Sequence, residues 1–186
     1  MFKKTLTAAA LSTALAFAGG IATASAQSDP MVGGAPMSPQ QTIVQNASKA
    51  NNLTTLVAAV KAAGLVDTLS GKGPFTVFAP TNSAFNEVPK STLNSLMKPA
   101  NKDQLTSILT YHVVPGMHSG PDMLRDAKAH GGKLMLKTVN GEELTVEPYE
   151  QGLAIVDAKG NRAVVTTADV NQSNGVVHVI NHVLMP

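Results

Sequence analysis

The apolar period changes part-way along this chain, and that change restricts the possible folds more than any other feature. Leu53, Leu56, Val57 and Val60 recur at i, i+3, i+4 and i+7, and Leu105, Ile108, Leu109 and His112 repeat the pattern, as one face of a helix requires. From Lys133 the period drops to two. Leu134 and Leu136 alternate with polar neighbours, Asn140-Gly141 marks a turn, and Leu144 and Val146 answer on the return, which predicts a β-hairpin. Helices first and mainly antiparallel strands later imply an α+β domain.

Finer signals divide the two halves. Ser38-Pro39 is placed to cap a first helix carrying Ile43, Val44 and Ala47, Asn52 to cap a second, and Gly64 to stop it. Leu65, Val66 and Leu69 predict a short helical turn before the breaker Gly71-Lys72-Gly73-Pro74. The run Phe75-Thr76-Val77-Phe78-Ala79 then reads as a buried strand that Pro80 ends. Leu93, Leu96 and Met97 suggest another helix, Asn101 a cap for the Leu105 helix, and Ser119-Gly120-Pro121 the start of a short one. Leu153 to Val156, Ala163 to Thr166 and Val176 to Ile180 complete the predicted strands.

The N-terminus has the layout of a secretory signal. Lys3 and Lys4 precede an apolar run from Leu6 to about Ala18, and Ala24-Ser25-Ala26 offers a cleavage site. The run is shorter than the ~20 residues a membrane span needs. Cleavage after Ala26 makes Gln27 the expected mature N-terminus. It leaves 12 basic and 12 acidic residues, so the remaining 160 residues carry no formal charge and give no electrostatic argument for nucleic acid. Residues 27–37 hold Pro and Gly without periodicity and read as a flexible leader, and residues 38–186 as one domain. There is no cysteine, so stability in an oxidising compartment must come from the core, and no lipoprotein anchor is expected.

Three segments go beyond fold class. Thr76-Val77-Phe78-Ala79-Pro80-Thr81-Asn82-Ser83-Ala84-Phe85 resembles the first homology region of the fasciclin domain, and Asn174-Gly175-Val176-Val177-His178-Val179-Ile180-Asn181-His182-Val183-Leu184 resembles the second. Between them, Leu109-Thr110-Tyr111-His112-Val113-Val114 is similar to the family's central Tyr-His motif. The resemblance covers about residues 40 to 186. It implies a β-wedge of mainly antiparallel strands with helices packed on one side, used in extracellular adhesion, with no enzyme activity and no cofactor.

The resemblance also marks Tyr111 and His112, because animal matrix members assign an integrin contact to that region. Thr167-Ala168-Asp169-Val170-Asn171 occupies the place of the acidic-proline-aspartate-isoleucine adhesion motif, with Asp169 and Val170 matching and the other three departing. Each has a structural alternative. His112 lies on the apolar seam of its helix, where a buried, hydrogen-bonded ring would hold helix to sheet, and Asp169 reads equally as a turn-capping carboxylate. His178 and His182 have the spacing of a helical metal pair, but their segment reads as strand and no zinc-protease glutamate follows His178, so no metal is expected. No nucleotide-binding or serine-hydrolase pattern is present. The expected function is a secreted or periplasmic adhesion module that contacts a protein or a surface polymer of the envelope or a host, with no membrane segment after cleavage. The alternative is a soluble carrier that holds a small apolar ligand between helices and wedge, where methionines of the mature chain would suit an adaptable pocket.

Overall fold

The computed structural model describes residues 29–150 and 152–186. The signal peptide and its cleavage site lie outside the described residues. Two short strands, β1 (Met31–Val32) and β2 (Ala35–Pro36), pair antiparallel at the start. Val32 and Met37 are buried in the core, so residues 31–37, expected as a flexible leader, are packed onto the domain. Apolar side chains separated by a Gly33-Gly34 turn suffice for this, because each buried side chain contributes ~1.5–3 kcal/mol.

The helical half follows in order. It comprises α1 (Ile43–Ala47), α2 (Thr54–Ala63), α3 (Val66–Ser70), α4 (Asn82–Glu87), α5 (Lys90–Leu96) and α6 (Lys102–Tyr111), with strand β3 (Phe75–Pro80) between α3 and α4. Caps depart from the expected ones in three places. Thr42, not Ser38, caps α1 in a reciprocal capping box with Gln45. Asn52 and Asn101 make no cap bond; Asn101 instead donates to the Ser95 carbonyl at 2.7 Å. Thr81 caps α4 through the Ala84 N–H, as the Pro-Thr-Asn sequence suggests. Gly64 ends α2 in the left-handed region, φ +72°, which a Cβ would penalise.

After β4 (Val113–Pro115), helix α7 (Gly120–Ala129) starts at the Ser119 cap with Pro121 in its first turn. Strands β5 (Leu134–Lys137), β6 (Glu143–Tyr149), β7 (Gly152–Val156), β8 (Arg162–Gln172) and β9 (Gly175–Ile180) complete the chain. The seven-stranded sheet has the order β4-β3-β9-β8-β7-β6-β5. All pairs are antiparallel except β3 with β9.

Strand β8 makes the wedge. It spans 11 residues, where the sequence predicts a strand from Ala163 to Thr166 and a turn at Asp169, and its register with β9 slips between Val165 and Thr167 and again between Thr167 and Val170. Bulges bend and twist a strand, and here they let β5–β7 fold back over β9. One face of β3 and β9 sends Val77, Ala79, Val177 and Val179 into a core shared with α1, α2 and α6. The opposite face sends Phe78 and Ile180 into a second core with β6, β7 and α7. Every residue of β9 is buried.

Candidate functional site

The end of α6 concentrates polar groups in the core. Tyr111 is 0% exposed and His112 2%. The Tyr111 hydroxyl donates to the Glu143 carbonyl at 3.2 Å and accepts from the Ala158 N–H at 3.0 Å, joining α6 to β6 and to the β7–β8 turn. His112 is the C-cap residue that follows the last residue of α6. Its Nδ1–H donates to the Ile108 carbonyl at 2.8 Å, satisfying one of the carbonyls that a helix C-terminus leaves free. Its Nε2 accepts from the Leu184 N–H at 3.1 Å, and its own carbonyl accepts from Phe78 N–H at 2.9 Å. One ring thus ties α6 to the C-terminal segment and one carbonyl ties it to β3. Burial pulls the His112 pKa down to about 4, against smaller opposing effects of the Ile108 bond and Asp157. The ring is neutral, and both nitrogens are engaged.

A second buried histidine sits on the other face of the sheet. His178 stacks on Phe78, ring centroids 5.7 Å apart. Its Nε2–H donates to the His118 carbonyl at 2.9 Å, and Nδ1 accepts from the Asp169 N–H at 3.3 Å. Burial again lowers the pKa, partly offset by the His118 bond and by Asp169. Asp169 completes the chain of bonds, because its Oδ1 accepts from the Gly120 N–H at 2.7 Å, at the first turn of α7. Asp169 does not cap a turn. It stands in the β8 bulge at φ +57°, a left-handed conformation that Asp tolerates better than most residues.

Of the four residues singled out in the sequence, three are interior. Tyr111, His112 and Val170, the last 1% exposed, offer a partner no area in the folded protein, and their motifs are explained by packing and hydrogen bonding. Asp169 is half-buried and borders an open groove of about 260 Å³ between α7 and strands β7 and β8, lined also by Pro121, Leu124, Leu153 and Val165. Period-two alternation in the sequence of β9 puts His178 on the same face as Val176 and Ile180. Its link to Asp169 was invisible there, because the two meet only through the bulge.

The layer between helices and sheet, where an apolar ligand was the alternative, holds a void of about 30 Å³ under α1, lined by Val44, Leu56, Val60 and Leu109 among others. Ligand pockets run to ~300 Å³ and more, so the core is closed in this conformation. His178 and His182 do not form a metal pair: the rings have separate partners, His182 Nδ1 meeting the Glu87 carboxylate. Among the described residues no three His, Cys, Asp or Glu side chains gather in a way that could hold a metal ion. No described helix is long and apolar enough to cross a membrane.

Similarity to known proteins is concentrated in this framework. The profile of the fasciclin domain matches residues 51–186. Protein sll1483 of Synechocystis sp. is 47% identical over 145 residues, covering 78% of this chain and 73% of that protein. Immunogenic protein MPB70 of Mycobacterium bovis is 38% identical over 152 residues, 79% of this chain and 70% of that one. Transforming growth factor-beta-induced protein ig-h3 of Sus scrofa is 36% identical over 148 residues, 80% of this chain and 20% of that longer protein. In three dimensions, the FAS1 domain pair from the insect cell adhesion molecule fasciclin I superposes with a TM-score of 0.70 at 20% identity, over 78% of this chain and 51% of that one, which speaks for the fold. With its profile spanning both homology regions and the buried Tyr-His hinge between them, the chain belongs to the fasciclin domain family.

Proposed function

We propose that this protein is a non-enzymatic interaction module acting outside the cytoplasm, where it contacts a protein or a surface polymer of the envelope or a host. One observation carries the reading. The titratable side chains of the family's Tyr-His motif and second homology region that lie in the core, Tyr111, His112 and His178, are buried with their polar atoms engaged in hydrogen bonds within the fold. General acid–base catalysis needs such a group within reach of a substrate, and these three have neither access nor a free nitrogen or hydroxyl. The family's adhesion proteins, among them the insect cell adhesion molecule fasciclin I, support binding as the work of the domain, and the N-terminal signal pattern supports export.

Asp169 is the contact residue retained from the sequence candidates, acting at the rim of its groove. A domain of this size offers a partner ~800 Å². Without a strongly charged face, monovalent binding is micromolar and adhesion depends on clustered display. The test compares soluble protein with bead-clustered protein on envelope or host-surface preparations, using Asp169→Asn, which removes the charge while keeping an acceptor for Gly120. Clustered wild type adheres and the variant adheres less at equal melting temperature. Nanomolar binding by the soluble monomer, or undiminished adhesion by Asp169→Asn, contradicts this assignment.

A further inference from the structure

Apart from the Asp169 groove, with which it shares no lining residue, four loops border an open cleft of about 470 Å³. It is bordered by Thr42 before α1, Ser70 at the end of α3 and Lys72 after it, Met117 after β4, and, where β8 turns into β9, Ser173 and Gly175. Its volume lies in the range of ligand sites.

The loops are held rigidly. Asn174 Nδ2 donates to the Leu69 carbonyl at 2.8 Å and to the Gly71 carbonyl at 3.1 Å, while its Oδ1 accepts from the Ile43 N–H at 3.1 Å. One side chain therefore fixes the α3 exit, the α1 entry and the last turn. Ser173 N–H donates to the Gln41 carbonyl at 2.9 Å, and Gly116 N–H to the Pro74 carbonyl at 2.9 Å. Backbones approach so closely that a Cβ on Gly73 would lie 1.9 Å from the Asn174 carbonyl oxygen, and one on Gly175 2.0 Å from that of Phe75. A cleft fixed in this way loses little entropy on binding.

Its chemistry is one-sided. Lys72 is exposed and has no carboxylate within ion-pair distance among the described residues. Thr42 Oγ1 accepts from Gln45 N–H and retains its proton to donate, and Ser70 and Ser173 add exposed hydroxyls. No Asp or Glu lines the cleft. Met117 stands at its edge 56% exposed, an apolar side chain that adapts to varied shapes. No aromatic ring lines it either, and stacking rings are what sugar polymers use.

We propose that this cleft receives an extended acidic peptide segment of a partner protein, a carboxylate seated at Lys72 and an adjacent apolar side chain on Met117. The proposal rests on the protein being an interaction module and names a site and a partner chemistry for it. The probe is a fluorescein-labelled hexapeptide of alternating Glu and Leu, read by anisotropy and by NMR of the isotope-labelled protein. The comparison probes are the matching Lys/Leu peptide and oligogalacturonate. Saturable binding of the Glu/Leu peptide is expected, with shifts at Lys72, Ser173 and Gly175 amides and the Met117 methyl. Lys72→Glu should weaken it about tenfold or more at unchanged melting temperature, because Lys72 is exposed. Shifts confined elsewhere, equal binding of the Lys/Leu peptide, an unaffected Lys72→Glu variant, or oligogalacturonate competing as well as the peptide each overturns the proposal. Clustered Lys72→Glu protein that still adheres while failing to bind the peptide leaves the module reading standing and limits the cleft to an accessory role. Failure of clustered wild type to adhere to any surface removes the module reading itself.

Discussion

Acidification tests the assignment of His112 as a neutral structural ring. The folded pKa is about 4 against an ordinary 6.5, so below about pH 6.5 the unfolded chain binds a proton that the folded chain refuses. The contribution is fully present above the unfolded value and is lost as pH falls toward the folded one. Integrating the single-site linkage between about pH 7 and about pH 5 gives a loss of roughly 2 kcal/mol. The structural cause is definite: a protonated ring would carry a hydrogen on Nε2, directed at the Leu184 N–H that now donates to it. The assay is urea unfolding across this pH range for wild type and for His112→Phe. The variant fills the same space, leaves the Leu184 N–H unpaired, and is less stable at neutral pH by about 1–3 kcal/mol. Its stability should fall less steeply with acidification than that of wild type, by roughly the same 2 kcal/mol. His178, whose pKa is lowered in the same direction, still contributes in both proteins and cancels in the comparison. Parallel stability–pH curves, or an NMR titration of His112 near the ordinary value, would refute the buried neutral ring.

Three further outcomes are expected. At Asp169, stability should follow the order Asn above Gly above Ala: Asn keeps an acceptor for Gly120 and tolerates φ +57°, Gly keeps only the backbone freedom, and Ala loses both at a cost of about 2 kcal/mol. Thermal melts check the series, and an Asp169→Ala curve superimposed on wild type would contradict it. Deleting residues up to Met37 should lower the melting temperature by several degrees, roughly 2–4 °C per kcal/mol, since Val32 and Met37 are buried; a flexible leader would leave it unchanged. Mass analysis of protein recovered from the producing cells' envelope or medium should give Gln27 as the first residue and no stoichiometric apolar compound in the extract, whereas a retained Met1 or a bound lipid would overturn the export or closed-core reading.

Element types were legible in this sequence because they depend on local spacing. The α6 stripe of Leu105, Ile108, Leu109 and His112, the Gly64 stop, the β5–β6 hairpin around Asn140-Gly141 and the burial of His112 all follow from period and turn chemistry within a few residues. The three segments resembling the fasciclin domain were legible for the same reason, as contiguous strings. Tertiary structure decided what local spacing does not encode. Asp169 reads locally as a turn carboxylate, yet the β8 bulges set its φ and bring it to Gly120, 49 positions away. Val32 and Met37 lie in a stretch with no period, but a free apolar surface on the helical layer buries them. The cleft at Lys72 draws on four loops, three of which Asn174 joins across more than 100 positions. Such contacts depend on how a bent sheet brings distant backbone together, and a side chain's neighbours along the chain carry no trace of that.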